Sequence, residues 1–584
     1  MTHWIRIQKR ENHTSNLGLF ADMYQYLLGL PVAVGVVTFL APAGEASRDT
    51  PRFLPAQRCA LCHDQAAGDA MRDEKGRSMA PFDLWQSSMM ANSARDPLWR
   101  AALRAEIVTS PEEARPEIEA LCTRCHAPMA KAHAHEIGSL ALLDGITQGG
   151  DGDETGGNEY VRMSDAARTA AAHLARDGVS CTVCHQITPK GFGTDASFAG
   201  NFEINDEHRI YGPHESPFLM PMLRHTGKRA TESKHILKSE LCATCHTLVH
   251  DTRDGNGEHT EQSPYLEWRN SEFRDTQSCQ ECHVPTKSVD GLTLVARIVH
   301  RPNGSEWNTQ MRVPFGRHVF VGGNTLLPPI FMANREELGV KAPDEAFRAT
   351  LEATRLQLRE STAKVTIGEL RRDGDRLEVP IEVKNECGHK FPTGYPSRRA
   401  WLHVRVLDAK DRVAFESGGF DELGRIVDGD ARPLASEALG GAFEPHHDRI
   451  DSGAHAQIYE AIQRGKDGSD TWRLLDAHGY VKDNRLLPRG YSNDHADAKR
   501  TRPIGTDGDH SFAAGRDLVT FLFDAPADCG PYRIDVELVY QTLAPRYAAE
   551  LFAIEGKEIR AFERMWKQAT RTPEVVATAH RSAP

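Results

Sequence analysis

Ten of the chain's twelve cysteines fall into five copies of one five-residue pattern, and no other feature narrows the folding problem as much. The copies are CALCH at 59–63, CTRCH at 122–126, CTVCH at 181–185, CATCH at 242–246 and CQECH at 279–283. Two thiols three positions apart, with an imidazole directly after the second, form the attachment signature of c-type haem. Each thiol pair (Cys59 and Cys62, Cys122 and Cys125, Cys181 and Cys184, Cys242 and Cys245, Cys279 and Cys282) forms thioethers to the two vinyl groups of one porphyrin. The adjacent imidazole, His63, His126, His185, His246 or His283, then reaches the iron from the same side as its proximal ligand. Zinc takes cysteine pairs four thiols at a time, and five pairs leave one over. A dithiol redox centre needs one pair and no repeated histidine. The expected cofactor is therefore five covalently bound haem c.

Composition sets the surroundings of these groups. With 584 residues, 40% hydrophobic and 26% charged, the chain is long enough for several domains and reads as water-soluble and folded. A formal charge of −12 argues against a phosphate-tracking surface and so against nucleic acid. It suits a basic redox partner docking in a salt-sensitive way. Haem is attached to such motifs outside the cytoplasm, and the N-terminus agrees with export. Arg6, Lys9 and Arg10 precede an apolar stretch from Tyr26 to Ala41, with small residues at Ala41–Ala43 and Gly44–Ala46. At about 15 residues the stretch is short for a spanning helix. Residues 1–46 read as a signal peptide or an N-terminal anchor, giving a periplasmic or otherwise exported protein whose membrane contact is limited to that anchor.

The expected fold class is multidomain. Residues 47–355 form a mostly helical, irregular pentahaem domain in which the haems supply much of the core, with helical spacing at Pro97 to Val108 and Ser164 to Arg176. Period-two alternation then begins in LEVPIEV at 377–383, WLHVRVL at 401–407, DLVTFLF at 517–523 and YRIDVELVY at 532–540. Residues 356–545 therefore read as a β-sandwich-like domain, and 546–584 as a C-terminal helical tail with Leu551, Ile559, Phe562 and Trp566 as its apolar positions. Cys387 and Cys529, outside the motifs, read either as an interstrand disulfide or as two separate thiols.

Several segments resemble a known group. WQSSMMANSARDP at 85–97, DGVSCTVCHQI at 177–187, SPFLMPMLRHTG at 216–227, EQSPYLEWRNSEF at 261–273 and RHVFVGGN at 317–324 are similar to multihaem cytochromes related to hydroxylamine oxidoreductase and to the tetrahaem cytochrome of ammonia oxidisers. The resemblance covers most of residues 55–330 and implies distal iron ligands at His173, His225, His235 and His318. Where the family's first segment carries a histidine this chain has Met90, beside Met89. A thioether ligand raises a haem's potential, so Met90 would mark the high-potential end of the row, whereas both methionines as core fillers would leave an iron open. GHKFPTGYPSRRAWLHV at 388–404 resembles the C-terminal domain that accompanies such haem modules. Its loop is expected to dock on the haem module through Arg398 and Arg399, with His389 as an iron ligand the lesser alternative.

The expected function is electron transfer along a row of haems between redox partner proteins, with no catalytic residue. One alternative is an oxidoreductase acting on a small nitrogen or sulfur compound at an open haem. A second is a structural or docking subunit of an extracellular electron-transfer assembly.

Overall fold

Helix geometry explains why each motif closes a short helix. Positions i and i+3 share a helix face, so both thiols of C-x-x-C project to one side, and the following histidine falls beside the first. In the computed structural model the motifs lie in Ala56–His63, Arg115–His126, Cys181–Cys184, the end of Ser239–Ala243 with the turn after it, and Cys279–His283. The structure describes residues 51–65, 71–73, 75–129, 173–255, 257–288 and 290–583. The leader expected at 1–46 and most of the helix expected at Ser164 to Arg176 lie outside these. The chain divides into Met1–Glu45 and Ala46–Pro584, and every described residue belongs to the second unit. Among the described residues no helix is long and apolar enough to cross a membrane.

Downstream, two sheets face each other. Their strands are β1 (Ala363–Ile367), β2 (Arg371–Asp373), β3 (Arg376–Asn385), β4 (Arg399–Leu407), β5 (Val413–Ser417), β6 (Arg449–Ile450), β7 (Ile458–Arg464), β8 (Asp470–Thr471), β9 (Tyr480–Asp483), β10 (Arg516–Asp524), β11 (Tyr532–Gln541) and β12 (Glu574–Ala583). The first sheet runs β6-β10-β3-β1 with β2 on β3; the second runs β8-β7-β4-β11-β12 with β9 on β7 and β5 on β4. Alternation supplies the shared core: Leu377, Val379, Ile381, Val383, Val519, Phe521 and Phe523 from the first sheet meet Leu402, Val404, Val406, Ile534, Val536 and Leu538 from the second. The second sheet is also covered on its other face, where Trp401, Ile458 and Val539 pack with Ile426 and Leu434.

The tail departs from the helical expectation. Helices Pro545–Phe552 and Lys557–Gln568 form, but Glu574–Ala583 then returns as β12 and pairs antiparallel with β11. The reason is geometric: β11 would otherwise be an edge with unpaired backbone groups, and Val576 offers an inward side chain at the right register. The two helices pack not on the sandwich core but with helix Pro97–Val108, through Leu98, Ala101, Tyr547, Ile559, Phe562 and Met565. Arg104 grips Glu558 there through two bonds of 2.7 and 3.1 Å. Cys387 and Cys529 are both free thiols, so the disulfide alternative is not realised; the Cys387 thiol instead reaches the Thr362 carbonyl.

Candidate haem-binding centre

The motifs are tied to one another before any cofactor is considered. Asp177, just ahead of the third motif, accepts the Ala56 amide at 2.7 Å and so starts the helix of the first. Thr182 inside the third motif exchanges bonds with the Leu54 backbone at 3.1 and 3.2 Å. Two glycines allow the close approach. A Cβ on Gly178 would lie 2.5 Å from the Met90 carbonyl, and one on Gly200 would lie 2.5 Å from Arg124 Cβ and 3.2 Å from Cys125 Sγ.

The thiols meet in pairs that cross motifs. Cys59 lies beside Cys181, Cys125 beside Cys245, and Cys242 beside Cys279. Cys184 lies within electrostatic reach of Cys245 and Cys242. The attachment sites thus form one branched series: first to third, third to fourth, and fourth to both second and fifth. With haem attached, these sulfurs would be thioethers.

Each proximal imidazole but one anchors its Nδ1 on a carbonyl. His63 pairs with Ile298 at 2.8 Å, His126 with Ser93 at 3.3 Å, His185 with Tyr211 at 2.6 Å and His283 with Val321 at 2.8 Å. That arrangement fixes the tautomer and leaves the Nε2 lone pair for a metal. Desolvation pulls His63 and His126 down to about 4, so both rings are neutral at physiological pH.

Two of the five proximal rings face a second imidazole. His185 and His318 lie with ring centres 6.3 Å apart and planes 20° from parallel; His283 and His389 lie 6.4 Å apart and 12° from parallel. A ring bound to a metal at about 2 Å has its centre roughly 3 Å from that metal. Two rings on opposite sides of one iron therefore stand about 6 Å apart, too far for contact stacking and right for a shared ion. His318 and His389 turn their Nδ1 atoms to the carbonyls of Gly316 and Lys390, at 3.1 and 2.8 Å, as the proximal rings do.

The other sequence candidates stand elsewhere. His235 is close to His185 but spends both nitrogens, Nδ1 with Ser233 Oγ at 2.6 Å and Nε2 with the Ile187 carbonyl at 2.8 Å, so no lone pair is left for iron. It braces the segment just after the third motif instead. His225 is exposed on helix Leu219–Thr226, and its carbonyl accepts Arg58, next to the first motif, at 2.8 Å. His173 is exposed at the start of a described segment. Met90 is half-buried and its carbonyl accepts the Val179 amide at 2.9 Å, while Met89 packs with the helical core. Among the described residues no second imidazole faces His63, His126 or His246 at iron-bridging distance.

The loop at 388–399 does dock on the haem half, but not through its arginine pair. Arg399 is buried against Glu437 of its own half at 2.5 Å, and Arg398 bonds the Thr393 carbonyl. The contact runs through Glu267 of helix Pro264–Arg269, which accepts the Lys390 amide at 3.1 Å, Thr393 Oγ1 at 2.6 Å and Arg485 Nη1 at 3.1 Å.

Sequence reasoning also missed a polar group beside the second motif. Glu261, within electrostatic reach of Cys122 and Cys125, is pushed up to about 8 by burial, with Glu106 adding to the rise. The hydroxyls of the half-buried Tyr395 and the buried Tyr547 hydrogen bond to each other in the same region. No local pattern marks these four residues, because the fold alone assembles them.

No family model and no curated protein matches the chain. Among solved structures it is similar to a penta-heme cytochrome c552 from Thermochromatium tepidum, with 14% sequence identity, 91% of this chain and 100% of that chain covered, and a TM-score of 0.48. At that distance the haem reading rests on this chain's own side chains.

Proposed function

We propose that the chain is an exported pentahaem c-type cytochrome that carries electrons between redox partner proteins. The observation that carries the reading is the pair of facing imidazoles, His185 with His318 and His283 with His389, each at iron-bridging spacing on a C-x-x-C-H motif. Bound haem supplies reversible one-electron chemistry. The residues would hold each porphyrin by two sulfurs, fix the tautomer of four of the five proximal imidazoles, and draw five attachment sites into one connected series. His318 is assigned to the third motif and His389 to the fifth.

The test is a haem count by pyridine haemochrome with rapid-mixing reduction of the ferric protein by a substoichiometric donor. Five haems per chain that share the added electrons according to potential support the reading. Fewer haems, or populations that do not exchange electrons, refute it. A second reading, a substrate-converting centre, is favoured by Glu261 and the Tyr395–Tyr547 pair, which place proton donors beside the second motif. Turnover of a small nitrogen or sulfur compound that disappears in Tyr395→Phe would establish it.

A further inference from the structure

We propose that Glu444, His447 and His455 form a site for a divalent transition metal on the rim of the sandwich, independent of the haem irons. Glu444 and His447 lie on the segment entering β6, and His455 on the turn entering β7. His447 Nε2 stands 2.7 Å and His455 Nδ1 2.9 Å from one atom, Glu444 Oε1. The Ala456 amide reaches the same oxygen at 3.3 Å. A carboxylate oxygen has two lone pairs, so three donors oversubscribe it. A cation between the carboxylate and the two rings would take the lone pairs of His447 Nε2 and His455 Nδ1, with each ring proton carried on the other ring nitrogen, and would replace both ring hydrogen bonds to Glu444 Oε1.

The donor set fits zinc. All three ligand atoms lie within 4.8 Å of one another, a span that bonds of about 2 Å can bridge. Two imidazoles and a carboxylate are a familiar zinc set with a fourth position left to water. The side chain of His455 is 50% exposed, which opens that position to solvent. The frame is already rigid: buried Lys482 holds the Glu444 carbonyl at 2.7 Å, Gln457 Oε1 accepts the His447 amide at 2.9 Å, and Ser417 Oγ bonds the His455 carbonyl at 2.8 Å.

The cluster immediately inside, His446 with Asp509 and Asp517, has the opposite character. Gln457 and Asn484 turn their amide nitrogens to His446 Nδ1 at 2.8 and 3.1 Å, an orientation fixed because their oxygens accept the His447 and Glu460 amides. The ring proton therefore sits on Nε2 and is donated to Asp509 at 2.9 Å, which leaves no lone pair for a cation. Adjacent histidines thus face a closed hydrogen-bonded interior and a ligand-competent rim.

The test uses the haem-loaded protein, stripped with EDTA and desalted, then titrated with zinc chloride by calorimetry and assayed for zinc and iron by mass spectrometry. Wild type is expected to take one zinc per chain. His455→Ala and the isosteric Glu444→Gln should each weaken that binding by at least about tenfold, with unchanged haem spectra showing that both variants fold. His580→Ala, a distant exposed histidine, should bind as wild type does. Absence of zinc from wild type, or equal uptake by the two site variants, would overturn the proposal.

Discussion

Replacing His389 with alanine should convert one iron in five from low-spin to high-spin. The magnitude follows from the geometry: His389 is the ring facing His283 at 6.4 Å and 12°, and five motifs make each haem one fifth of the total. Removing it takes away one strong-field ligand, and the proximal side, anchored by the Val321 carbonyl at 2.8 Å, is untouched. Low-temperature EPR of the ferric protein, referenced to total haem, should show a high-spin increment over wild type of one fifth. His318→Ala should add a second fifth, and the double variant two fifths. Imidazole in the buffer should enter the space left by the side chain and restore the low-spin signal, which a misfolded loop would not permit. His389→Met should stay low-spin and raise the potential of that haem. His235→Ala should change no spin state, because both its nitrogens are already bonded to protein. A folded His389→Ala protein with the wild-type spin distribution would refute the pairing.

Three further outcomes are expected. Glu267→Gln removes one of two buried acids facing two buried bases, Lys390 and Arg485, and should lower unfolding free energy by about 3–5 kcal/mol in denaturant titrations. Alkylation of the denatured, unreduced protein should add two labels, one each on Cys387 and Cys529, since ten thiols are consumed by haem and those two are free. Burial opposes protonation of His403, but hydrogen bonds to Glu416 at 2.9 Å and Glu537 at 3.2 Å outweigh it and push its pKa up to about 9. A folded pKa above the unfolded value of about 6.5 stabilises fully below that pH and is lost as pH rises through the folded pKa, an effect of about 3 kcal/mol at most. The stability difference between wild type and His403→Gln, followed by thermal melting, should therefore shrink between pH 7 and pH 10; a difference independent of pH would count against the assignment.

What could be read in the chain depended on whether the information was local. The attachment cysteines and proximal histidines form contiguous motifs, and the strands at 377–383, 401–407, 517–523 and 532–540 show their inward faces by alternation alone. His318, which the segment around it singles out, stands opposite His185. His389 was ranked below the arginines beside it because a histidine between a cysteine and a Pro-Gly loop has no periodicity that separates a ligand from a surface side chain. Arg399 was misplaced for the complementary reason: its partner Glu437 lies in another loop, and only the closed sheet brings them within 2.5 Å. The strand at 574–583 carries no alternating pattern, with only Val575, Val576 and Thr578 of high β preference, and the otherwise unpaired edge of β11 is what orders it.

The placement of His389 bears on why the sandwich accompanies the haem motifs. The loop that presents it carries Lys390, whose ammonium is buried against Asp483 at 2.7 Å, and Arg485 grips the same carboxylate at 2.7 and 2.8 Å. Without Glu267, the cluster in the assembled chain holds two cations and one anion, an excess of buried positive charge. Burying such a charge without a partner costs several kcal/mol. Glu267, from the haem side, neutralises it and at the same time bonds Thr393 and the Lys390 amide on either side of the loop. The contact that completes the charge balance is thus the contact that sets the position of His389, one residue away. Removing the sandwich would take from Glu267 its cationic partners and from the fifth motif its facing ring. If the proposed pairing of His283 with His389 holds, the sandwich would carry a ligand of the fifth centre, held there by a four-residue ion cluster drawn from both halves.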